Sequence, residues 1–302
     1  MSSNSVCMAL LVIALALTPA VPADSGLNYS FLTIDYPGAG STQALGINGS
    51  GAVVGEYVLP GEANAHGYLF SLGTFTAIDF PSAIGTVAYG IDDAGDIVGG
   101  YTDQNTHVHG FLYQNANFTT FDFPGSTGTG ATAINPVGQI VGFYYDSAGA
   151  IHGYLDEGGQ FTSIDFPGAT STFALGINAF GTISGYYDDG RTAHGFLYRG
   201  GRFQTIDFPR SKNTMLAGIN TQGMAVGTHN VLNERGFVYS GGHFASLSVP
   251  GAVLDVDSAI NDARQVVGIF SDSQGFEHGF LATPGVNPAS LLGNERRTHS
   301  SP

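Results

Sequence analysis

The chain consists largely of short stretches in which apolar and polar residues alternate. In the unit that begins at Thr129, these stretches cover residues 129–134, 139–145, 152–155 and 161–166. Alternation with a period of two places successive side chains on opposite faces of a β-strand. Turn residues separate the stretches, as at Asn135 and Gly138, where Asn opens a turn and Gly accepts a positive φ. The pattern predicts four consecutive antiparallel strands.

This four-strand unit repeats along the chain. A Phe-Thr-Thr-Phe-Asp-Phe-Pro-Gly segment at Phe118 recurs with small changes at spacings of 41 to 44 residues, beginning at Phe31, Phe75, Phe161, Phe203 and Phe244. An Ile-Asn or Ile-Asp element recurs with it and ends at Asn48, Asp92, Asn135, Asn178, Asn220 and Asn261. Four strands in a repeat of this length are typical of a β-propeller blade. A β-solenoid is the alternative, but its shorter repeats leave no room for four strands.

The two ends of the repeat region complement each other. The region starts with a lone fourth-type strand at 31–36 and ends with first, second and third strands over 255–281. Six blades are complete only if the N-terminal strand becomes the fourth strand of the last blade. Such closure removes the open sheet edges that pair with other chains. The sequence therefore predicts an all-β, six-bladed propeller with four antiparallel strands per blade.

The terminal segments predict an exported protein in three parts. Residues 1–23 contain an apolar run at 6–17 of signal-peptide length and small residues before Asp24, although no Lys or Arg precedes the run. A retained anchor is the alternative. We expect the propeller over 24–282 and a disordered tail over 283–302. The only cysteine, Cys7, lies in the leader, so the mature chain would contain no disulfide.

Charge limits the choice of partner. The chain has 9 Lys plus Arg against 24 Asp plus Glu, a formal net charge of −15. A nucleic-acid surface requires clustered basic residues, so the composition argues against nucleic acid. We expect a secreted or periplasmic monomer with no membrane span after processing. The expected partner is an extracellular glycan or protein.

The recurring elements resemble a known family. His-Gly-Phe-Leu-Tyr, Gly-Ile-Asn-x-x-Gly-x-Ile-Val-Gly and Phe-x-x-Ile-Asp-Phe-Pro-Gly are similar to repeats of the HAF family of extracellular repeat proteins, over nearly all of residues 31–282. The family takes its name from a His-Ala-Phe element, whereas this chain has Gly at the middle position in every unit. The resemblance implies a propeller-like bacterial exported protein, and it implies no established activity or catalytic residues.

Five histidines recur at the start of the third strand, and four of them precede an aspartate by 13 residues. The pairs are His66 with Asp79, His109 with Asp122, His152 with Asp165, and His194 with Asp207. In a hairpin this spacing places both side chains on one face. One unit has Arg235 for His and Ser248 for Asp, so both members are lost together, and ring closure would supply Asp35 to His278. We interpret these as structural pairs, because blades radiate outward and would hold the histidines too far apart for one metal ion.

Acidic residues recur in the loops between second and third strands, at Asp103, Asp146, Asp188, Asp189 and Asp272. These loops share a propeller face with the fourth-to-first loops, and loops on a rigid scaffold commonly carry ligand sites. A Ca²⁺ site needs about six to eight oxygen ligands. One or two Asp per loop therefore favour solvated turn residues over a calcium site, and we expect no cofactor.

Basic residues are confined to the second half of the chain. Residues 1–190 contain no Lys or Arg, and six then fall between 191 and 235. Arg191, Arg210 and Lys212 fall in neighbouring loops of one face and are candidates for a basic patch that binds an anionic ligand. The alternative is a local ion-pair network with Asp188, Asp189 and Asp207.

Asp255 and Asp257 occupy first-strand positions that hold Thr and mostly Ala in the other units. They would place acid near the channel axis in blade six, as a ligand site or as paired carboxylates for glycoside cleavage. The alternative is that they bond neighbouring strands. The regular repeats favour a non-catalytic binding or interaction module, because an active site usually makes several blades diverge together. A carbohydrate-active hydrolase or lyase and a structural envelope protein are the other hypotheses.

Overall fold

The computed structural model describes residues 28–230 and 235–285, which form 24 β-strands in six antiparallel sheets. The N-terminal strand is β1 (Tyr29–Ile34). Blades one and two contain β2 (Ser41–Ile47), β3 (Val53–Val58), β4 (His66–Ser71), β5 (Thr74–Ala77), β6 (Gly85–Ile91), β7 (Ile97–Thr102), β8 (Val108–Gln114) and β9 (Asn117–Phe121). Blades three and four contain β10 (Gly128–Ile134), β11 (Gln139–Tyr145), β12 (Ile151–Glu157), β13 (Phe161–Ile164), β14 (Ser171–Ile177), β15 (Ile183–Asp188), β16 (Ala193–Arg199) and β17 (Arg202–Ile206). Blades five and six contain β18 (Thr214–Ile219), β19 (Ala225–His229), β20 (Arg235–Ser240), β21 (His243–Leu247), β22 (Leu254–Ile260), β23 (Val266–Ser271) and β24 (Glu277–Pro284).

The ring closes through the N-terminal strand. β1 pairs antiparallel with β24, from Tyr29 opposite Pro284 to Ile34 opposite Gly279, and completes blade six in the order β1-β24-β23-β22. The predicted six blades and their closure are therefore confirmed. β24 extends to Pro284, two residues past the predicted end of the propeller at 282, because β1 begins earlier than expected and pairs with the extra residues. The predicted signal peptide lies outside the described residues, as does the tail beyond residue 285.

Each first strand contains a register shift close to its end, as between Ala44 and Gly46. The residue just before the last Ile of each first strand, such as Gly46, lies where neighbouring blades approach each other around the channel. A Cβ at Gly46 would lie 2.6 Å from the carbonyl oxygen of Tyr89 in the next blade. The other blades place Gly or Ala at this position, so the small residue before each Ile allows the first strands to pack closely.

A large aromatic ring on the third strand fills the interior of every blade. These rings are at most 1% exposed and belong to Tyr68, Phe111, Tyr154, Phe196, Phe237 and Phe280. Each ring of this size buries roughly 150–250 Å², which contributes up to about 4–6 kcal/mol at ~25 cal/mol per Å². This repeated core stabilises the ring in a chain whose only cysteine is Cys7.

The lower face, which carries the turns between first and second strands, narrows the channel in two layers. Six isoleucines line small cavities of about 80 and 160 Å³: Ile47, Ile91, Ile134, Ile177, Ile219 and Ile260. Below them, turn asparagines join blade to blade through their amide Nδ2 groups. Nδ2 donates to a backbone carbonyl of the next blade from Asn48 to Asp92 (3.0 Å), Asn135 to Asn178 (3.1 Å), Asn178 to Asn220 (3.0 Å), Asn220 to Asn261 (3.2 Å) and Asn261 to Asn48 (2.9 Å). We call these turn residues the asparagine circle. The side chain of Asp92 has no N–H group to donate, so the circle lacks its link from blade two to blade three.

Candidate functional site

The opposite, upper face carries the fourth-to-first and second-to-third loops, which hydrogen-bond to each other. Gln104 Nε2 donates to the carbonyl of Ser82 at 2.9 Å, and Ala193 N donates to Asn213 Oδ1 at 2.9 Å. The first bond joins the second-to-third loop of blade two to the loop that leads into that blade, and the second joins the start of β16 to the loop that leaves blade four. The sequence-predicted residues can be located on this face.

Each rim histidine contacts the aspartate predicted from its spacing. The distances from Nδ1 to the nearest carboxylate oxygen are 3.3 Å for His66–Asp79, 2.9 Å for His109–Asp122, 2.8 Å for His152–Asp165, 3.0 Å for His194–Asp207 and 2.9 Å for His278–Asp35. The last contact joins β24 to the residue that follows β1. All five contacts are thus cross-strand contacts within a blade, including the blade shared between the chain ends.

A second carboxylate lies on the other side of each of these rings, which the spacing did not predict. Nε2 lies 3.0 Å from Glu62 in blade one, and 3.6 to 3.7 Å from Asp103, Asp146, Asp189 and Asp272 in the others. At His66, partial burial lowers the pKa of the imidazole, but hydrogen bonds to Glu62 and Asp79 outweigh burial and raise it. Each histidine is therefore held between two acids at the rim.

The loop aspartates also shape their own loops. Asp103 Oδ1 accepts the backbone N–H groups of Asn105 at 2.8 Å and His107 at 2.9 Å, and Asp146, Asp189 and Asp272 accept equivalent bonds. These backbone donors hold the pKa values of the four carboxyls below their usual range. In the part of the chain that the structure describes, no cluster of three or more His, Cys, Asp or Glu could hold a metal ion. The loop acids accept backbone N–H groups in their own turns and contact the rim histidines, as Asp103 does.

The three candidate cations lie at the surface of the upper face. Arg191, Arg210 and Lys212 are exposed, and the 2.9 Å bond from Ala193 to Asn213 brings their two loops together. Within residues 28–230 and 235–285, none of the three forms an ion pair of 4.0 Å or less with a carboxylate. They border neither of the upper channel cavities described below.

Blade five departs from the rim pattern and contacts blade six instead. Arg235 Nη1 lies 3.7 Å from Asp255 Oδ2, and Asp255 Oδ1 accepts the N–H of Gly236 at 2.6 Å. The other blades carry Thr at the position of Asp255. In blade two the hydroxyl of this threonine, Thr86, accepts the backbone N–H of Phe80 at 3.0 Å. Burial raises the pKa of Asp255, and the Gly236 N–H and the Arg235 charge only partly oppose it. We expected Asp255 near the channel axis from its position in the first strand, but Asp255 lies in the seam between blades five and six.

Asp257 is fully buried in the same seam. Its side chain is packed against Gly236, where a Cβ would lie 2.5 Å from Asp257 Oδ2. Burial, followed by the charge of Asp255, raises the pKa of Asp257 well above its ordinary value. Neither oxygen has a hydrogen-bond partner within the described residues. Asp257 also lines a cavity of the channel, so only this acid meets the expected position near the axis.

Two cavities occupy the upper half of the channel. The first, the channel cavity, has a volume of about 300 Å³ and a mostly apolar lining that includes Leu45, Leu175 and Ile269, with Thr228 and Asp257 at one side. The second, the mouth groove, also measures about 300 Å³ and is lined by Ala65, Thr86, Gly100, Thr102 and Gly130 among others. Tyr89 and Phe143 line both cavities. Volumes of this order lie at the lower end of the range for small-molecule sites.

Glycine opens the mouth groove. At the position of Gly100 the other blades carry Glu56, Phe143, Tyr186, Thr228 and Ile269. A Cβ at Gly100 would meet its nearest neighbour, Tyr89 Cε2, at an ordinary 3.7 Å. The groove therefore exists because this blade lacks a side chain that its backbone can accommodate.

Residues that the sequence did not single out form a polar cluster beside Tyr89, and none of them lines either cavity. Gln43 Nε2 donates to Glu277 Oε2 at 2.9 Å, and Glu56 lies opposite Gln43 in the β2–β3 ladder. Burial, followed by the charge of Glu277, raises the pKa of Glu56 to about 7. Burial and the charge of Glu56 raise the pKa of Tyr89 to about 12. Glu56 was missed because it lies within a strand; the signal was an acid at a position where no other blade carries one.

Together, the six sheets, their closure and the central channel define a six-bladed β-propeller. No protein-family model matches the chain, and no curated protein matches it. A mutant of the Aleuria aurantia lectin in complex with Fucα1-6GlcNAc is similar in structure, with 12% identity, a TM-score of 0.53, and coverage of 82% of this chain and 94% of the lectin. The β-propeller domain of the Trilobed protease from Pyrococcus furiosus has 9% identity and a TM-score of 0.53, over 88% of this chain and 90% of that domain. A putative gluconolactonase has 11% identity and a TM-score of 0.51, over 86% of this chain and 93% of its own.

Proposed function

We propose that this chain is an exported, non-catalytic binding propeller that holds a glycan at the upper mouth of its channel. The observation that carries the proposal is the pair of cavities that share Tyr89 and Phe143. Ligand sites are typically concave, largely apolar and aromatic, with a few polar groups that fix orientation. Sugar rings combine apolar faces with hydroxyl groups, so aromatic walls beside polar residues such as Asn64 and Thr102 suit this class of ligand.

Other features agree with a glycan partner. One protein of similar fold was solved with Fucα1-6GlcNAc bound, although that similarity concerns the fold alone. The exposed Arg191, Arg210 and Lys212 would give the same face affinity for acidic sugars, as expected for a basic patch on an acidic protein. Charge reversal of Arg210 and Lys212 to Glu should therefore weaken binding of uronate-containing glycans and leave neutral glycans unaffected.

Export is part of this proposal. It rests on the leader-like residues 1–23 and on the resemblance to HAF repeats. N-terminal sequencing of protein recovered from the periplasm or the medium should give Asp24 as the first residue. Retention of the full chain in the membrane fraction would contradict this part of the proposal.

The binding proposal is tested by filling the mouth groove. Gly100→Ile adds a side chain where other blades carry one, and Thr119→Ile adds the same side chain at an exposed position of β9 in the same blade. We expect the wild type and Thr119→Ile to bind the same members of a glycan array, and Gly100→Ile to lose them while retaining the wild-type melting temperature. Equal binding by all three proteins, or no binding by the wild type, would refute the proposal.

A carbohydrate-active hydrolase is the second candidate, and one observation favours it. A carboxyl with a pKa of about 7 suits a general acid near neutral pH, and Glu56 has this property beside Glu277. Release of new reducing ends from a bound glycan, abolished in Glu56→Gln, would establish hydrolysis. Binding without cleavage by the wild type would leave the non-catalytic function in place.

A further inference from the structure

The channel cavity has apolar walls that the protein leaves partly uncovered. Six large apolar side chains of its lining lie near the centre of the ring, yet each of them stays partly exposed: Leu45, Phe143, Leu175, Met215, Val256 and Ile269. Large apolar surface that is left open in a concave place commonly marks a ligand site. An apolar group that enters this cavity is removed from water, and so is the wall that it covers.

Polar partners in the same cavity are few. Among its polar lining residues, Thr132 Oγ1 already donates to a backbone carbonyl at 2.8 Å, and the side-chain oxygens of Thr228 and Asp257 are buried. Ser258 and the hydroxyl of Tyr89 remain. A sugar ring in this space would therefore bury several hydroxyl groups without hydrogen-bond partners, which is unfavourable. The lining fits an apolar group better than it fits a sugar ring.

Two small residues provide the space on one side of the cavity. Ala217 and Ser258 occupy one position in the first strands of the neighbouring blades five and six, and blades one, two and four carry Leu45, Tyr89 and Leu175 there. All five residues line the channel cavity. Because other blades accept a large side chain at this position, the fold does not require the small residues. The cavity is open because these two blades lack a side chain, just as the mouth groove is open at Gly100.

The channel cavity adjoins the mouth groove and narrows below it. Tyr89 and Phe143 line both spaces, so the two meet at these rings. On the lower side, the space within the isoleucine layer measures about 80 Å³, against about 300 Å³ in the channel cavity. The groove above offers polar side chains such as Asn64 and Thr102. A ligand that fills both spaces therefore needs a polar part above and an apolar part below.

We propose that the glycan held in the mouth groove carries a short alkyl or acyl chain, and that this chain occupies the channel cavity. The ligand is then an amphipathic glycoside, with its sugar beside Asn64 and Thr102 and its chain between Leu175, Val256 and Ile269. The inference rests on the proposed glycan-binding function and specifies the class of glycan. The volume of about 300 Å³ and the narrowing below it limit the chain to a short one.

Methyl, butyl and hexyl β-D-glucosides test the inference, because they share a sugar and differ only in chain length. Calorimetric titrations would compare the wild type with Ala217→Leu and Ser258→Leu, which fill the channel cavity with the side chain that blades one and four carry at this position. Ala94→Leu adds the same side chain at an exposed turn of the lower face and serves as the matched control.

We expect the affinity of the wild type and of Ala94→Leu to rise roughly 4-fold for each methylene added between methyl and hexyl glucoside. In Ala217→Leu and Ser258→Leu, most of this gain should be lost while the melting temperature stays close to that of the wild type. Two variants from different blades are used so that misfolding of one of them does not decide the result.

Several results would overturn the inference. Equal affinity of the wild type for methyl and hexyl glucoside would show that no chain enters the cavity, and an unchanged gain in both filled variants would place the chain elsewhere. Glycan-array binding that is lost in Gly100→Ile, without any gain with chain length, would refute the apolar chain and leave the proposed function standing. A gain that is lost in Ala217→Leu, without array binding by the wild type, would refute the glycan function and the assignment of the chain to a glycan.

Discussion

Because β1 closes the ring, we predict that loss of the His278–Asp35 contact lowers the stability of the protein more than loss of the chemically matched His109–Asp122 contact. His278–Asp35 and His109–Asp122 both have an Nδ1–Oδ distance of 2.9 Å, and their aspartate side chains are 49% and 42% exposed. Asp35→Ala and Asp122→Ala therefore remove the same kind of contact. Such cross-strand contacts at a partly exposed position contribute about 0.2–1 kcal/mol each.

The two contacts differ in how their strands are connected. β9 is continuous with strands of the ring on both sides, whereas β1 leads directly only into β2 and is paired only with β24. Release of β1 opens the ring without unfolding another blade. A loss of 0.2–1 kcal/mol would raise the population of this opened state roughly 1.4- to 5-fold.

Hydrogen exchange and thermal melting measure this difference. In Asp35→Ala we expect peptides covering β1 and β24 to exchange roughly 1.4- to 5-fold faster, and the melting temperature to fall more than in Asp122→Ala. In Asp122→Ala the exchange of β24 should match the wild type. Equal melting temperatures in the two variants, with no selective exchange at β24, would refute the conclusion that closure limits stability.

Other predictions follow from single positions. Asp92→Asn should supply the missing link of the asparagine circle and raise the unfolding free energy by about 0.5–1.5 kcal/mol in urea denaturation; a lower value would show that the circle adds no stability. Gly99→Ala should destabilise the chain by roughly 3 kcal/mol or more, because its Cβ would overlap a carbonyl oxygen across the ladder, whereas Gly100→Ala should change stability by less than about 0.5 kcal/mol. Unfolding free energies of equal size for the two glycine variants would contradict this assignment. Because the pKa of Asp257 is raised in the folded chain, the unfolded chain loses this proton at a lower pH than the folded chain does. The unfolding free energy should therefore fall as the pH rises above ~4, and it should keep falling until the pH reaches the folded-state pKa. Denaturation from pH 4 to 8 should show less of this decline in Asp257→Ala; identical pH profiles would show that the carboxyl is not buried in solution.

The repeat allowed most of the fold to be predicted. The period, the turn asparagines and the out-of-phase ends determined the number of blades and their closure, because each depends on local spacing. The 13-residue spacing also located the partner of each rim histidine, since a hairpin fixes which residues face each other. The second acid beside each ring, such as Asp103 at His109, was not recognised because it comes from a loop of variable length.

The candidate site was less predictable because it depends on how blades face one another. Asp255 and Asp257 were recognised as departures from the repeat, but their burial in a seam follows from packing against Gly236 in another blade. Thr228 attracted no notice, since a threonine in a strand is unremarkable until its neighbours are known. The mouth groove arises from the absence of a side chain at Gly100, which no search for reactive residues would detect.

The contact between β1 and β24 has a consequence for chain connectivity. Gly285 N donates to the carbonyl of Asn28 at 2.6 Å, so the ends of the described ring are immediate neighbours. A short linker across this junction would turn the ring into a continuous loop that can be cut elsewhere. Circular permutants with new termini in any fourth-to-first loop should therefore fold, each with six continuous blades and a ring closed only by packing at one seam between blades. Ranking their stabilities would measure how much each seam, including the polar seam between blades five and six, contributes to holding the ring closed.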